Sequence, residues 1–204
     1  MKRILLMALL ALALPLAAFA GDVDFGNNGG TLVGSSAGLT LSGSELTSVS
    51  GFNGAGLFQG MLGSVSFTTG ALMSGNMTNG AIFSGVGSTF TIMGNGTGGL
   101  PNGVIFSGSF VGPVTFTTSG TVGVDGTIIY VLYGSISGTW WNGTTVSGAT
   151  TQINFHTGKA GFQGELKLAS GNTVIVTTPE PGTLGLLGTG LVGLAGIIRR
   201  KLKS

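Results

Sequence analysis

GSVSFTTGAL (residues 63–72) and GPVTFTTSGTV (residues 112–122) write one local pattern twice. In the first, Val65 and Phe67 alternate with Ser66 and Thr68. In the second, Val114 and Phe116 alternate with Thr115 and Thr117. A period of two sends apolar side chains to one face of an extended chain and hydroxyls to the other. Val, Phe and Thr suit such a half-buried, pleated surface. Related runs recur at 89–93 (TFTIM), 127–134 (TIIYVLYG), 150–155 (TTQINF), 164–169 (GELKLA) and 173–178 (TVIVTT), with glycine between them. From Gly21 to Thr178 no window sustains the 3.6-residue apolar period of a helix. Many short alternating strands separated by turn residues predict an all-β body, an antiparallel sandwich or barrel.

A weaker repeat overlies this pattern. Leu57-Phe58-Gln59-Gly60, Ile82-Phe83-Ser84-Gly85 and Ile105-Phe106-Ser107-Gly108 follow one another at intervals of 25 and 23 residues, and Leu132-Tyr133-Gly134-Ser135 comes 27 further on. Periods of this size also belong to stacked β-solenoids, the alternative fold. The drifting interval favours a hairpin repeat in an antiparallel sheet, with Phe58, Phe83 and Phe106 in the core.

Glycine makes up 41 of 204 residues, about three times the usual share, and charged residues only 7%, against about 25% in ordinary domains. The basic pI of about 9.2 comes from the ends of the chain. Between Gly21 and Thr178 five acids (Asp22, Asp24, Glu45, Asp125, Glu165) face two bases (Lys159, Lys167). Two bases cannot neutralise a run of phosphates, which excludes a nucleic-acid partner. Cysteine is absent, so disulfides and thiolate metal sites are excluded. The remaining surface is neutral and rich in Ser, Thr, Asn and Gly, suited to hydrogen bonding with polysaccharide or with further protein copies.

No constellation of catalytic residues stands out. His156 is the single histidine, and base chemistry needs oriented partners. GNGTGG (94–99) has phosphate-loop spacing but leads into Leu100-Pro101-Asn102-Gly103, a turn where a helix is required. GSISG (134–138) has no serine at its centre. Asp22 and Asp24 look like the opening of a calcium loop, yet position twelve is Val33 where glutamate is needed. Asp125 and Glu165 are the pair available to a polysaccharide-active enzyme, an activity that needs their carboxyls within about 5–9 Å. Neither a metal nor a cofactor is expected, and the body is read as noncatalytic. Trp140-Trp141 is the most distinctive local feature: strand neighbours face opposite sides, so one ring enters the core and the other meets solvent, where it can stack on sugar rings.

Both ends carry addresses. MKRILLMALLALALPLAAFA (1–20) has a basic start at Lys2 and Arg3, an apolar middle, and small residues at Ala18 and Ala20. That is the form of a secretory signal helix cut after Ala20 by signal peptidase once the Sec translocon has engaged it. At the other end Leu184–Ile198 is free of charge, and at 1.5 Å per residue spans about 22 Å, short of a hydrocarbon core of about 30 Å but within reach of local thinning. A C-terminal transmembrane helix is therefore expected over about 183–198. Arg199, Arg200, Lys201 and Lys203 behind it act as the basic stop that stays cytoplasmic.

Pro179-Glu180-Pro181, the Gly/Leu-rich apolar run and the basic end together resemble the PEP-CTERM sorting signal of Gram-negative bacteria, over residues 179–204. The resemblance implies recognition of Pro179, Glu180 and Pro181 by an exosortase, a membrane-embedded cysteine transpeptidase. The protein is then released toward the cell surface or exopolysaccharide matrix. The chain is expected to divide into a signal peptide (1–20), an all-β extracytoplasmic domain (21–178) and a sorting tail (179–204). A plain, permanent membrane anchor is the alternative reading of that tail.

Overall fold

The computed structural model describes residues 21–122, 127–157 and 161–177, and within them the chain is almost entirely β. The strands are β1 (Gly21–Asn28), β2 (Thr31–Ser35), β3 (Gly38–Ser50), β4 (Phe58–Thr68), β5 (Leu72–Asn76), β6 (Gly80–Phe83), β7 (Thr89–Asn95), β8 (Asn102–Phe110), β9 (Val114–Val122), β10 (Thr127–Trp140), β11 (Thr145–Thr157) and β12 (Glu165–Thr177). They form a closed, eight-position antiparallel barrel. The sandwich and the solenoid are thereby set aside, since a sandwich has two sheets and a solenoid stacks parallel strands. Here every recorded register is antiparallel, and β12 returns to pair with β2 (Leu166 opposite Leu32).

Four of the eight positions hold two short strands in line. β8 and β9 lie end to end along β10, with Trp140 opposite Phe106, Ile136 opposite Phe110, then Tyr133 opposite Thr115 and Thr127 opposite Val122. β6 with β7, β4 with β5, and β1 with β2 fill single positions in the same way. This explains the drifting repeat of Leu57, Ile82, Ile105 and Leu132: each copy belongs to a successive long, bent strand of the meander. The repeat unit is one such strand, where a hairpin was expected.

The bends meet side by side. The Gly70 N–H donates to the Ser84 carbonyl (2.7 Å), the Ser84 N–H to the Ala71 carbonyl (2.9 Å), and the Val111 N–H to the Ser135 carbonyl (2.8 Å). The Ser88 hydroxyl accepts the Phe110 N–H at 2.9 Å. A side chain at Gly85 would strike the Gly112 and Phe110 carbonyl oxygens, and one at Gly70 the Val86 carbonyl. Glycine here permits close backbone approach where the sheet folds over. Many glycines read from sequence as turns lie inside strands for this reason; Gly108 and Gly138 face one another across β8 and β10, each without room for a Cβ.

An eight-stranded barrel has an interior just wide enough for side chains to fill, and aromatic rings fill this one in three groups. Phe25, Phe52 and Trp140 occupy the end at which β1 begins and β12 ends. Phe67, Phe90, Phe106 and Phe110 hold the middle, with Phe67 and Phe90 parallel and Phe110 edge-on to both. Phe116, Tyr130, Phe155 and Phe162 close the far end. There the Tyr130 hydroxyl donates to the Thr78 carbonyl (2.8 Å) and accepts the Phe162 N–H (3.3 Å), so the burial of a polar tip is matched by partners. Phe83 and Phe106 are fully buried as expected, while Phe58 packs against the core from a half-buried position. Outward faces are hydroxyl and amide: on β11, Ala149, Thr151, Ile153 and Phe155 point in, and Thr150, Gln152, Asn154 and His156 point out. This is the reverse of a lipid-embedded barrel, whose outer band is apolar.

The barrel, Asp22–Val176, is one compact unit. The expected signal helix with Ala18 and Ala20, the expected transmembrane helix over about 183–198, Pro179 to Pro181 and the basic residues 199–203 lie outside the described residues. Among the described residues, no helix is long and apolar enough to cross a membrane.

Candidate functional site

Two places in the chain are candidates for function: a tryptophan turn at one rim of the barrel and the C-terminal tail. The rim with the barrel's two chain ends also holds the connections 51–57, 96–101 and 141–144. β10 ends at Trp140, and the chain reverses at once. The Trp140 N–H donates to the Thr144 carbonyl (2.8 Å), the Gly143 N–H to the Trp140 carbonyl (2.8 Å), and the Thr144 N–H to Asn142 Oδ1 (3.0 Å). Gly143 takes the left-handed conformation this turn needs (φ 85°). The Trp141 N–H is tied to the Ile105 carbonyl at 2.7 Å.

The two indoles part company here. Trp140 is 6% exposed, wedged edge-on against Phe25 (5.8 Å between ring centres) and tilted on Phe52 (5.7 Å), which leaves it no face for a ligand. Trp141 is 44% exposed and rests on the buried Phe52 ring at 6.2 Å. The pair split as the sequence implies, although Trp141 belongs to the turn and not to the strand. Of the two, Trp141 alone exposes ring surface. Because these are the chain's two tryptophans, the split is directly testable. Fluorescence of Trp141→Phe should be blue-shifted and resistant to aqueous quenchers, and that of Trp140→Phe red-shifted and readily quenched. Equal quenching of both variants would contradict the arrangement.

The titratable residues are scattered. His156 is exposed on β11, between Ile129 of β10 and Lys167 of β12. Glu165 is exposed at the start of β12, opposite Val33; Asp125, its suggested partner, lies outside the described residues. Asp22 and Asp24 sit on β1, both exposed, on an extended strand in place of a metal-binding loop. Among the described residues no three His, Asp or Glu side chains gather. GNGTGG runs from the end of β7 into a tight turn at Thr97–Gly99 and then to Pro101, with no helix after it.

A shallow groove of about 210 Å³ follows the β2–β3 hairpin, lined by Val33, Gly34, Ser35, Ala37, Gly38, Leu39 and Thr40. That is below the ~300–1,000 Å³ of small-molecule sites, and no charged side chain lines it. A buried polar strip crosses the barrel wall at β3, β1, β12 and β11. In it Asn27 Nδ2 donates to Ser44 Oγ (2.7 Å), and the hydroxyls of Thr151 and Thr173 share a hydrogen bond (2.9 Å). Asn27 Oδ1 lies against Gly171 and has no partner among the described residues. Neither sequence pattern nor spacing marks this strip.

The tail is where comparison with known proteins speaks. Residues 177–201 match the model of the PEP-CTERM protein-sorting motif. The matched stretch begins where β12 ends and takes in Pro179, Glu180, Pro181, the apolar run, Arg199, Arg200 and Lys201. No curated protein and no solved structure matches the chain. The fold and the tail together define a class: an exported β-barrel protein bearing a sorting motif read by an exosortase-type enzyme at the membrane.

Proposed function

We propose that this is a noncatalytic protein of the cell surface or exopolysaccharide matrix of a Gram-negative bacterium. The Sec translocon exports it, signal peptidase cuts it after Ala20, and an exosortase-type transpeptidase cleaves it at Pro179-Glu180-Pro181. The observation that carries the reading is the junction at Thr177. A sorting motif follows directly on the last strand of a barrel whose interior is filled by its own aromatic side chains and whose outer wall is hydroxyl and amide. A filled barrel leaves its outer surface and rims as the places for contact. A nearly uncharged wall favours hydrogen-bonding, sugar-like polymers over charged ones. Trp141, held on Phe52, is the side chain assigned to polysaccharide. Aromatic faces present apolar area at low entropic cost.

Intact-mass measurement of the protein recovered from membranes, cell surface and medium tests the processing. A released species beginning at Gly21 and ending near Pro179–Pro181 is expected. Recovery solely as a membrane form with its C-terminus intact would replace this reading with the permanent anchor.

A further inference from the structure

Six asparagines stand directly before glycine: Asn28, Asn53, Asn79, Asn95, Asn102 and Asn142. Such a pair carries its own chemistry. The glycine nitrogen lies within reach of the asparagine Cγ, and glycine has no Cβ to hinder the approach. The nitrogen attacks Cγ, the Cγ–Nδ2 bond breaks, and ammonia leaves with the proton of the glycine nitrogen. Water then opens the cyclic imide at one of its two carbonyls. The product is aspartate, or isoaspartate with the main chain routed through the former side chain. Water is the sole co-reactant, and nothing is oxidised or reduced.

All six are exposed, so the fold decides among them. Asn28 and Asn102 are held in ladders, opposite Glu45 and Asn95, and Gly80 after Asn79 is paired with Asn76. Asn95 is tied at both ends of its amide: Oδ1 accepts the Thr97 N–H (3.0 Å), and Nδ2 donates to the Met61 carbonyl (2.7 Å). Asn142 Oδ1 accepts the Thr144 N–H (3.0 Å). Turning Cγ of either toward the next nitrogen breaks these bonds. Asn53 has no such restraint, for among the described residues it makes no hydrogen bond. It is also the one described residue other than glycine with a positive φ (53°), between Gly51 (78°) and Gly54 (74°). The attacking nitrogen is held by a single bond, from the Gly54 N–H to the Gly51 carbonyl (3.1 Å).

We propose that Asn53 is a site of spontaneous, water-driven conversion to aspartate and isoaspartate, and that it sets a clock on the Trp141 rim. The site needs no partner, and it stands whether or not Trp141 meets a sugar. Its place in the fold gives it a consequence. Asn53 follows Phe52, whose ring carries Trp140 at 5.7 Å and Trp141 at 6.2 Å. The Phe52 carbonyl accepts the Ala55 N–H (3.0 Å) across the same turn. Isoaspartate adds a methylene to the main chain inside that turn. Either product puts a carboxylate on a rim whose connections 51–57, 96–101 and 141–144 hold no charged residue. As molecules age, the seat of Trp141 shifts and its surroundings turn anionic.

The full chain in detergent is aged at neutral pH, digested, and mapped by peptide mass at each Asn-Gly pair. Asn53 should convert first, roughly 2- to 10-fold faster than Asn95 and Asn142, the range that one net hydrogen bond supplies. In urea, where the local sequence alone acts, all six should convert at similar rates. Conversion of Asn53 no faster than that of Asn142 in the folded chain, or the same lead kept in urea, overturns the proposal. Trp140→Phe leaves Trp141 as the reporter of the rim. Its emission should drift as Asn53 converts, and hold steady when Asn53→Gln is added, because the larger imide ring of glutamine closes poorly. Steady emission through full conversion of Asn53 overturns the clock.

Discussion

With Pro179, Glu180 and Pro181 all replaced by alanine, release of the protein from the membrane is expected to cease, and the chain should accumulate there with Ser204 still attached. Proline cannot continue a helix and biases the residue before it toward extended backbone, which is the form a processing enzyme engages without unfolding anything. Glu180 is the sole carboxylate side chain after Glu165, and it stands between the barrel and the apolar run. Glu180→Gln keeps its size and removes its charge, so it separates recognition of charge from recognition of shape. The barrel should be indifferent to these changes, because its compact unit ends at Val176. Intact mass of the membrane and released fractions measures the first effect, and thermal unfolding the second. Normal release of the triple variant would sink the assignment of these three residues.

Phe116→Ala should cost the barrel about 3–5 kcal/mol, the range for emptying a large, fully buried aromatic site. Phe116 has no exposed surface. It stacks on Tyr130 at 4.9 Å and 9°, and meets Phe155 and Phe162 edge-on at 6.2 and 5.9 Å. Removing the ring also frees Tyr130, whose hydroxyl joins the 77–79 turn to Phe162. Against the 5–15 kcal/mol typical of a domain, that loss is about a fifth or more of the whole. Phe58→Ala, half-buried at the rim, should cost clearly less. Denaturant titration followed by the emission of buried Trp140 reads both. A loss below about 1 kcal/mol for Phe116→Ala would mean the far-end aromatic group does not support the fold.

Sequence pattern and fold agree where alternation is unbroken. SVSFT (64–68) falls in β4, TFTIM in β7, VTFTT (114–118) in β9, TTQINF in β11, and both ELKLA (165–169) and TVIVT (173–177) in β12. β1, β3 and β8 were harder to read because glycine, serine and asparagine interrupt them. Yet Val23 and Phe25 alternate with Asp22 and Asp24 as the rule requires, and the inward pair is buried. What one-dimensional periodicity cannot carry is which strand lies beside which. The closure of β12 on β2, and the alignment of Gly70, Gly85 and Gly112 at one fold line, are relations between distant segments. A glycine marking a turn and a glycine marking a close crossing look the same in sequence. As for function, the tail was legible because its signal is linear, three elements in fixed order at one end. The Trp141 face was half legible: alternation gave one indole in and one out, and the packing of Phe52 and Phe25 decided which.

The closing contact joins β12 to β1 and β2, the two extremes of the barrel. For a chain that crosses a membrane N-terminus first, this sets an order of events. Everything up to β11 can pair as it emerges, but the ring stays an open sheet with two raw edges until β12 has followed, and such long-range pairing is slow. The next residues to arrive are the sorting motif itself. Completion of the barrel and presentation of its address thus fall at the same moment, so a prematurely ended chain has neither a closed wall nor a label, and only finished molecules carry both.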